Sequence, residues 1–237
     1  PIEAEGANMN VRVWGNYMQL YYSAVATAST HFGPLYIYRN VFGESRRGHR
    51  NNIGGSMIKT GDKRGFGGGK RIVFHNTALQ PNGPYNVIGG EPNCMSRNNI
   101  FDVPGSLAPD SEKEPVSDFD YDYYPGNSTG IAKEENRIRF RTSPAGNRLY
   151  VSSYKLEYYP RRYISSVTIG LFPFQFGEKT VNITDPVFQI KNPLIDGGVV
   201  IPGFNDNFKG TARDLGAFEV GAPPLEFGRR AYLKYDE

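Results

Sequence analysis

The stretch LYIYRNVFG, residues 35–43, carries the pattern that decides the fold of this chain. Large apolar residues alternate with other side chains as far as an asparagine, Asn40, and a second apolar pair follows it. Alternation with a period of two predicts a β-strand. The pattern recurs at residues 11–19 (VRVWGNYMQ) and 71–79 (RIVFHNTAL), and more weakly at 94–102 (CMSRNNIFD).

The four stretches align on their asparagines, which are separated by 24, 36 and 23 residues. A period of about 22–26 residues with one strand core per repeat is typical of a β-solenoid, in which each coil adds strands to parallel sheets. Four unrelated asparagines in surface turns are the alternative, but apolar side chains recur at the same offsets on both sides. We therefore expect four asparagines to occupy equivalent places in successive coils: Asn16, Asn40, Asn76 and Asn99.

These asparagines are predicted to have two roles. A sharp turn from one sheet to the next needs a residue with left-handed backbone, which asparagine tolerates better than other non-glycine residues. Stacked coils repeat the same turn directly above itself, so the side-chain amides can hydrogen-bond in a ladder along the axis. The ladder would satisfy polar groups that the interior buries.

The composition favours an all-β chain of short strands and many turns. Its 237 residues include 28 glycines, 17 prolines, 16 tyrosines and 15 phenylalanines. A net charge of +3 is too small to indicate nucleic acid binding. The sequence contains no apolar run long enough to predict a membrane span. The single cysteine, Cys94, excludes an internal disulfide, and we expect a buried apolar side chain there rather than a nucleophile.

Five parts of the sequence also match a known pattern: GPLYIYRNVF, GGGKRIVFHNTAL, NNIFDV, DFDYDYY and the closing pair NPLIDGG (192–198) and DLGAFE (214–219). Together they resemble the C-terminal half of right-handed parallel β-helix proteins of the pectin-lyase-like superfamily. The resemblance implies the C-terminal part of a right-handed parallel β-helix (a β-solenoid) over residues 1–222, with irregular strands and loops at its C-terminal end. It further implies a secreted or cell-surface bacterial protein. The last residues, 223–237, are charged and begin with two prolines, and we expect an extended tail there.

The length of the chain leaves room for only about five or six coils, and no amphipathic capping helix precedes Val11. An uncapped first coil would expose strand edges and apolar core. We therefore expect a complementary N-terminal β-helix portion as a partner of this chain.

The most basic part of the chain is the glycine-rich segment 43–70. Seven lysines and arginines stand there against Glu44 and Asp62, a local charge of +5 in a chain of +3. Such a segment suits an acidic polysaccharide as partner, because arginine pairs well with carboxylates and sulfates. The resemblance adds the activity of a polysaccharide lyase, in which a cation neutralises the substrate carboxylate and a base removes a proton.

Candidate residues for this chemistry lie in the basic segment and beside it. Lys59 is the candidate base, and His49 and Arg50 are candidate neutralisers of the carboxylate. The candidate substrate-binding residues are the other basic side chains and two aromatic ones that would stack on sugar rings: Arg46, Arg47, Lys63, Arg64, Tyr36 and Tyr38. The alternative is a non-catalytic β-helix module for glycan binding or surface assembly, whose basic segment is solvated or docks on the N-terminal portion.

Acidic residues gather further along the chain, at 102–122. Asp118, Asp120 and Asp122 would line one face of an extended strand, and oxygen ligands of this kind suit Ca²⁺, the one candidate cofactor. An amphipathic edge strand is the simpler alternative, because the loop spacing of an EF-hand is absent. Paired aspartates would also suit a glycoside hydrolase, the second choice of enzyme.

Three residues outside these segments also need an interpretation. His75 stands beside Asn76 in an apolar strand, and we expect it to stack between coils, with active-site work as the alternative. Asp196 and Asp214 each precede a glycine-containing turn, and we expect them to be turn and capping residues rather than catalytic ones.

Overall fold

The structure is a computed structural model that describes residues 2–18, 23–27, 30–42, 56–60, 69–78, 85–87, 93–101, 117–125, 138–140, 194–223 and 225–233. In these residues the chain is nearly all β, with one helix of five residues. The strands, numbered in chain order, are β1 (Ile2–Glu3), β2 (Val11–Trp14), β3 (Tyr17–Met18), β4 (Ser23–Ala26), β5 (Leu35–Tyr38), β6 (Val41–Phe42), β7 (Ser56–Thr60), β8 (Arg71–Phe74), β9 (Thr77–Ala78), β10 (Tyr85–Val87), β11 (Cys94–Arg97), β12 (Ile100–Phe101), β13 (Asp118–Phe119), β14 (Tyr123–Pro125) and β15 (Ile138–Phe140).

The strands form three parallel sheets, which the chain visits in a fixed order. Sheet I has the order β1-β4-β7-β10, sheet II β2-β5-β8-β11-β13 and sheet III β3-β6-β9-β12-β14-β15. Four times in succession the chain adds one strand to sheet I, the next to sheet II and the next to sheet III. Each such set of strands is called a repeat here, so that repeat 1 is β1, β2 and β3. The prediction of an all-β chain with parallel strands is confirmed.

The strand register is the one that alignment on the asparagines predicts. In sheet II, Val13 lies opposite Ile37, Ile37 opposite Val73, and Val73 opposite Ser96. These four residues stand three positions before the four aligned asparagines. The longer interval between the second and third stretches changes no pairing, so its extra residues lie in the connections between strands.

One hydrophobic cluster takes side chains from all three sheets, which places the core between them. Val25 of sheet I, Ile37 of sheet II and Phe42 of sheet III are each 0% exposed. Burial of a side chain of this size stabilises a fold by about 1.5–3 kcal/mol. Cys94 belongs to the same cluster and is buried, as predicted for a small apolar side chain.

The left-handed residue of each turn is not the aligned asparagine, which corrects one of its two predicted roles. The backbone φ is positive one position earlier, at Gly15 (62°), Arg39 (50°), His75 (53°), Asn98 (58°) and Tyr121 (57°). Left-handed backbone costs a non-glycine residue roughly 1–2 kcal/mol. No sequence pattern marks this left-handed position, because five different residue types occupy it.

Residues 194–223 and 225–233, here called the C-terminal segment, pack beside the turns between sheets II and III. Gly216 N donates a hydrogen bond to Asn98 O in repeat 4 (2.7 Å). Further along, Gly228 N donates to Gly15 O in repeat 1 (2.7 Å). Because the two acceptors belong to the fourth and first repeats, the segment runs along the stack toward its N-terminal end.

The end of this segment contains one turn of helix, α1 (Arg229–Leu233), where the sequence predicts an extended tail. Ala231 of α1 is buried against repeat 1, and a Cβ added at Gly15 would lie 2.8 Å from its Cβ. The ring of Phe227 meets Tyr17 edge-on, with 6.0 Å between centroids. Glycine at position 15 therefore provides both the left-handed turn and the space for α1.

Candidate functional site

The asparagine ladder, Asn16, Asn40, Asn76 and Asn99, is a single row of hydrogen-bonded side chains. At each step the backbone N–H and the side-chain amide of one asparagine donate to the Oδ1 of the next. Asn16 donates to Asn40 at 3.0 Å from both groups, and Asn40 donates to Asn76 at 3.1 and 3.0 Å. Asn76 donates to Asn99 at 2.9 Å from both groups. In every bond between ladder members, the donor therefore belongs to the more N-terminal repeat and the acceptor to the more C-terminal one.

A further bond from each inner amide reaches back to the preceding repeat. Asn40 Nδ2 donates to Val13 O at 2.9 Å, and Asn76 Nδ2 donates to Ile37 O at 2.8 Å. Asn40 and Asn76 are both 0% exposed. An unsatisfied buried polar group costs about 1–3 kcal/mol, so each inner asparagine depends on the repeats on both sides of it.

The row continues in Asp122, a residue predicted to bind calcium. Its Oδ1 accepts from Asn99 N (2.7 Å) and from Asn99 Nδ2 (2.9 Å), as the Oδ1 of a fifth asparagine would. Its Oδ2 lies 2.5 Å from Ser96 Oγ. Ser96 stands where the earlier repeats have valine or isoleucine, and this bond explains why the fourth stretch departs from the pattern. The interval of 23 residues from Asn99 to Asp122 is the signal in the sequence that would have found it.

Burial raises the pKa of Asp122 from 3.8 to about 7, although hydrogen bonds from Ser96 and Asn99 act in the opposite direction. In the unfolded chain the carboxyl group ionises near pH 4. Between about pH 4 and pH 7 the unfolded state therefore gains more from ionisation than the folded state does. The contribution of Asp122 to the free energy of unfolding is present at acid pH and is lost as the pH rises through this window.

We expect Asp122→Asn to stabilise the chain by roughly 2–3 kcal/mol at pH 7 and by much less at pH 4, because the amide keeps the ladder contacts without a buried charge. Urea unfolding of both proteins at several pH values measures the difference in the free energy of unfolding. Subtracting one free energy of unfolding from the other at each pH removes the contribution of the groups that titrate in both proteins. A gain as large at pH 4 as at pH 7 would show that the carboxyl charge is not its cause.

His75 connects the turn of repeat 3 to the C-terminal segment. Its Nδ1 lies 3.2 Å from Gly216 O. Its Nε2 lies 3.1 Å from Asn98 Nδ2 and 2.6 Å from Asn205 Nδ2. These partners define the neutral tautomer with its proton on Nδ1, which donates to the carbonyl while Nε2 accepts from the amides. His75 therefore contacts the turn of the next coil through Asn98, as predicted, and also the C-terminal segment through Gly216 and Asn205.

The surroundings of His75 keep the imidazole neutral. Burial, together with the positive charges of Arg39 and Arg213, lowers its pKa to about 3. A group with so low a pKa does not accept a proton near neutral pH. The structure therefore favours a structural role for His75 over the alternative of active-site work.

Asp196 and Asp214 hold the C-terminal segment in its folded shape. Asp196 Oδ1 accepts from Thr211 N (2.8 Å) and Ala212 N (2.9 Å). Asp214 accepts from Asp196 N (2.8 Å) and Val220 N (2.6 Å). The hydrogen bond from Ala212 N is the main cause that lowers the pKa of Asp196, whereas burial raises the pKa of Asp214 to about 6. The prediction that these are turn and capping residues is confirmed.

Tyr36 and Tyr38, predicted to stack on sugar rings, pack against aromatic side chains of the protein. Tyr38 is stacked between Trp14 and Phe74, with centroid distances of 5.9 and 4.9 Å. Phe204 of the C-terminal segment meets Tyr38 edge-on at 5.9 Å and packs on Tyr36 at 5.3 Å. Both faces of Tyr38 are therefore occupied, and a sugar ring cannot stack on them in this arrangement.

Lys59, the candidate base, forms an ion pair. It lies on β7 in sheet I, and its Nζ is 3.0 Å from Glu5 Oε1. The amine of Lys59 is thus engaged by a carboxylate of the protein, whereas a general base must be neutral and reach its substrate. Tyr36 and Tyr38 lie on β5 in sheet II, so the candidate base and the candidate aromatic residues stand on different sheets.

The other basic candidates lie outside the described residues, in the connections that precede and follow β7: His49, Arg50, Arg46, Arg47, Lys63 and Arg64. Their roles stay predictions.

The three alternating aspartates do not share one strand face. Asp118 is exposed on β13, and its Oδ2 lies 2.5 Å from Arg97 Nη2. Asp120 accepts from the backbone N–H of Tyr121 (3.0 Å), while Asp122 is buried in the ladder. Within the described parts of the chain, no group of three or more His, Cys, Asp or Glu side chains is arranged to hold a metal ion. The predicted calcium ligands are therefore not brought together.

Comparisons with known proteins return no match to this chain. No family model matches it, and neither a curated protein nor a solved structure does. Among the described residues, no helix has the length and apolar character needed to cross a membrane.

Proposed function

We propose that this chain is a right-handed parallel β-helix of the pectin-lyase-like type, secreted or displayed at a cell surface. The fixed order in which the chain visits three sheets supports this fold, as do the constant register and the asparagine ladder. In such a stack the strands are fixed by packing against neighbouring repeats. Function is therefore carried by the connections between strands.

The function we propose is binding of an acidic polysaccharide by the two basic connections that flank β7, residues 43–55 and 61–70. The observation that supports this proposal is the charge of the two connections, +2 over residues 43–55 and +2 over residues 61–70, in a chain whose net charge is +3. β7 lies inside sheet I between β4 and β10, so both basic connections belong to one interior strand. Its five residues separate them by about 13–16 Å. An extended polyanion spans that distance, whereas a single small anion does not.

Binding is favoured over lyase chemistry by the ion pair between Lys59 and Glu5. Elimination at a uronate needs a neutral base and a cation on the substrate carboxylate. Because Lys59 is paired with a carboxylate, it suits the role of the cation better than the role of the neutral base. β-Elimination with Lys59 as the base, which the sequence analysis places first, is kept here as the second candidate function.

Replacing Arg46 and Arg47 with glutamate is expected to weaken binding to pectate or heparin at least about tenfold, since two charge-assisted contacts are lost and two repulsions are added. Raising the salt concentration should weaken binding by the unmodified chain, because screening shortens the reach of exposed charges. Fluorescence anisotropy of labelled polymer measures both effects. The matched control is the same change at the exposed adjacent pair Arg229 and Arg230 on α1, which should leave binding near its original strength.

Two results would contradict this assignment. The first is an equal loss of affinity in the control and in the Arg46/Arg47 variant, which would reflect net charge alone. The second is that the unmodified chain forms unsaturated products, measured by their ultraviolet absorbance, and that Lys59→Ala does not. That second result would establish the lyase alternative instead of simple binding.

A further inference from the structure

The turn from sheet I to sheet II, here called the I–II corner, carries an exposed aromatic side chain. Phe32 lies there in repeat 2 and is 62% exposed. Met9, at the same corner of repeat 1, is 67% exposed. The two turns are joined by the hydrogen bond from Gly33 N to Asn8 O (3.0 Å). Exposed apolar side chains that gather in one place mark a binding surface, whereas single ones are ordinary.

In repeat 3 the I–II corner is formed by the basic connection 61–70. The turn of repeat 2 is bonded to both ends of this connection. At one end Thr27 N donates to Lys59 O (2.8 Å). At the other end Gly69 N donates to Thr30 O (2.9 Å). Repeat 2 joins these two points with two residues and repeat 3 with nine. The basic connection therefore begins and ends beside the turn of repeat 2.

The backbones of repeats 2 and 3 are in direct contact at Phe32. A Cβ added at Gly69 would lie 2.8 Å from the carbonyl carbon of Phe32, and one added at Gly33 would lie 2.7 Å from Lys70 O. Glycine at both positions thus allows the close approach. Lys70 is exposed, and no acidic side chain among the described residues forms an ion pair with it. An exposed ring and an exposed cation therefore stand on two touching stretches of backbone.

We propose that Phe32 and Lys70 form the sugar-recognising part of the polysaccharide site: Phe32 stacks on the ring of a uronate unit, and Lys70 pairs with its carboxylate. This inference rests on the proposed function, in which the basic connections attract a polyanion. Such attraction acts on any polyanion. An aromatic ring adds contact with the apolar C–H face of a sugar. A uronate unit supplies both that face and a carboxylate.

Phe32 is suited to the stacking role that the sequence predicts for Tyr36 and Tyr38. Those two tyrosines are packed against aromatic side chains of the protein. No aromatic ring in the described part of the chain packs on Phe32. Hydrogen bonds from repeats 1 and 3 hold the backbone of its turn on both sides. Binding a sugar at Phe32 therefore costs little backbone freedom.

Two polyanions separate sugar recognition from charge. Phe32→Ala is expected to weaken binding of pectate, a polymer of uronate units, about three- to tenfold, because the stacked ring is lost. Binding of polyglutamate, which has carboxylates but no sugar rings, should stay unchanged. Phe32→Tyr keeps the ring and should keep the affinity for pectate. Lys70→Gln should weaken binding of both polymers. Fluorescence anisotropy of each labelled polymer measures these affinities.

Val200→Ala is the matched control, because it truncates another exposed apolar side chain, 47% exposed, on the C-terminal segment. It should leave binding of both polymers unchanged. A second measurement uses Phe32→Trp, whose added indole should change its emission with pectate but not with polyglutamate. The unmodified chain should show no such change, since its one tryptophan, Trp14, is stacked on Tyr38.

An equal effect of Phe32→Ala on the two polymers, or no effect on pectate, would overturn the stacking site. If the Arg46/Arg47 variant still loses its affinity for pectate in that case, the proposed function stands without the stacking site. A chain that binds neither polymer would overturn both.

Discussion

Asn76→Ala is expected to lower the free energy of unfolding by about 3–5 kcal/mol, because several buried groups lose their partners together. Asn40 N and Asn40 Nδ2 lose their common acceptor, Asn76 Oδ1. Ile37 O and Asn99 Oδ1 lose a donor, Asn76 Nδ2. Each loss leaves a polar group away from water in a residue that is 0% exposed. Urea unfolding followed by circular dichroism measures the change.

Asn16→Ala is the matched control, because it makes the same substitution at the end of the ladder. Only one side-chain bond to another ladder member is lost there, that from Asn16 Nδ2 to Asn40 Oδ1. We expect a cost of about 1 kcal/mol. Equal costs at the two positions would mean that the ladder is a row of independent contacts, with no extra dependence on burial.

Gly216→Ala is expected to detach the C-terminal segment from the repeats. The residue has a φ of 83°, where an added Cβ is strained, and that Cβ would lie against Ile100 Cδ1 and 2.6 Å from Thr77 Oγ1. The backbone N–H of Gly216 also donates to Asn98 O, so relief of the clash breaks this bond. We expect a cost of about 3 kcal/mol or more from strain and lost packing together.

Limited proteolysis with trypsin reports this detachment, because Arg213 is 3% exposed while the segment is docked. Cleavage after Arg213 should become at least about tenfold faster in Gly216→Ala. Gly203→Ala is the control: its φ is 80°, but an added Cβ meets nothing within 4 Å. If both variants are cleaved at the same rate, backbone strain alone would explain the result and the tight contact with Ile100 would be irrelevant.

The architecture could be predicted because it repeats. A pattern with a period of two, restarted before each asparagine, determines which residues face the core and which residues lie opposite one another in parallel strands. The positions of Val13, Ile37 and Val73 in one row follow from the alignment alone. The left-handed position could not be found in this way, since residues as different as Gly15 and Tyr121 occupy it.

The candidate site was predicted less well, because it depends on contacts between distant parts of the chain. His75 meets Gly216 across 141 residues, and Lys59 meets Glu5 across 54. Phe204 packs on Tyr36 from an equally remote segment. No local pattern in the sequence reveals such partners. A basic or aromatic residue that appears available in the sequence can therefore be paired or covered in the fold.

The unequal intervals along the ladder have a practical consequence for protein engineering. Asn40 and Asn76 stand 36 residues apart, yet they bond as closely as neighbours separated by 23. Sheet formation thus tolerates a longer connection without any shift in pairing. Foreign peptides grafted between β6 and β7 should be displayed on an unaltered scaffold, which makes this connection a natural insertion point for epitopes or affinity tags.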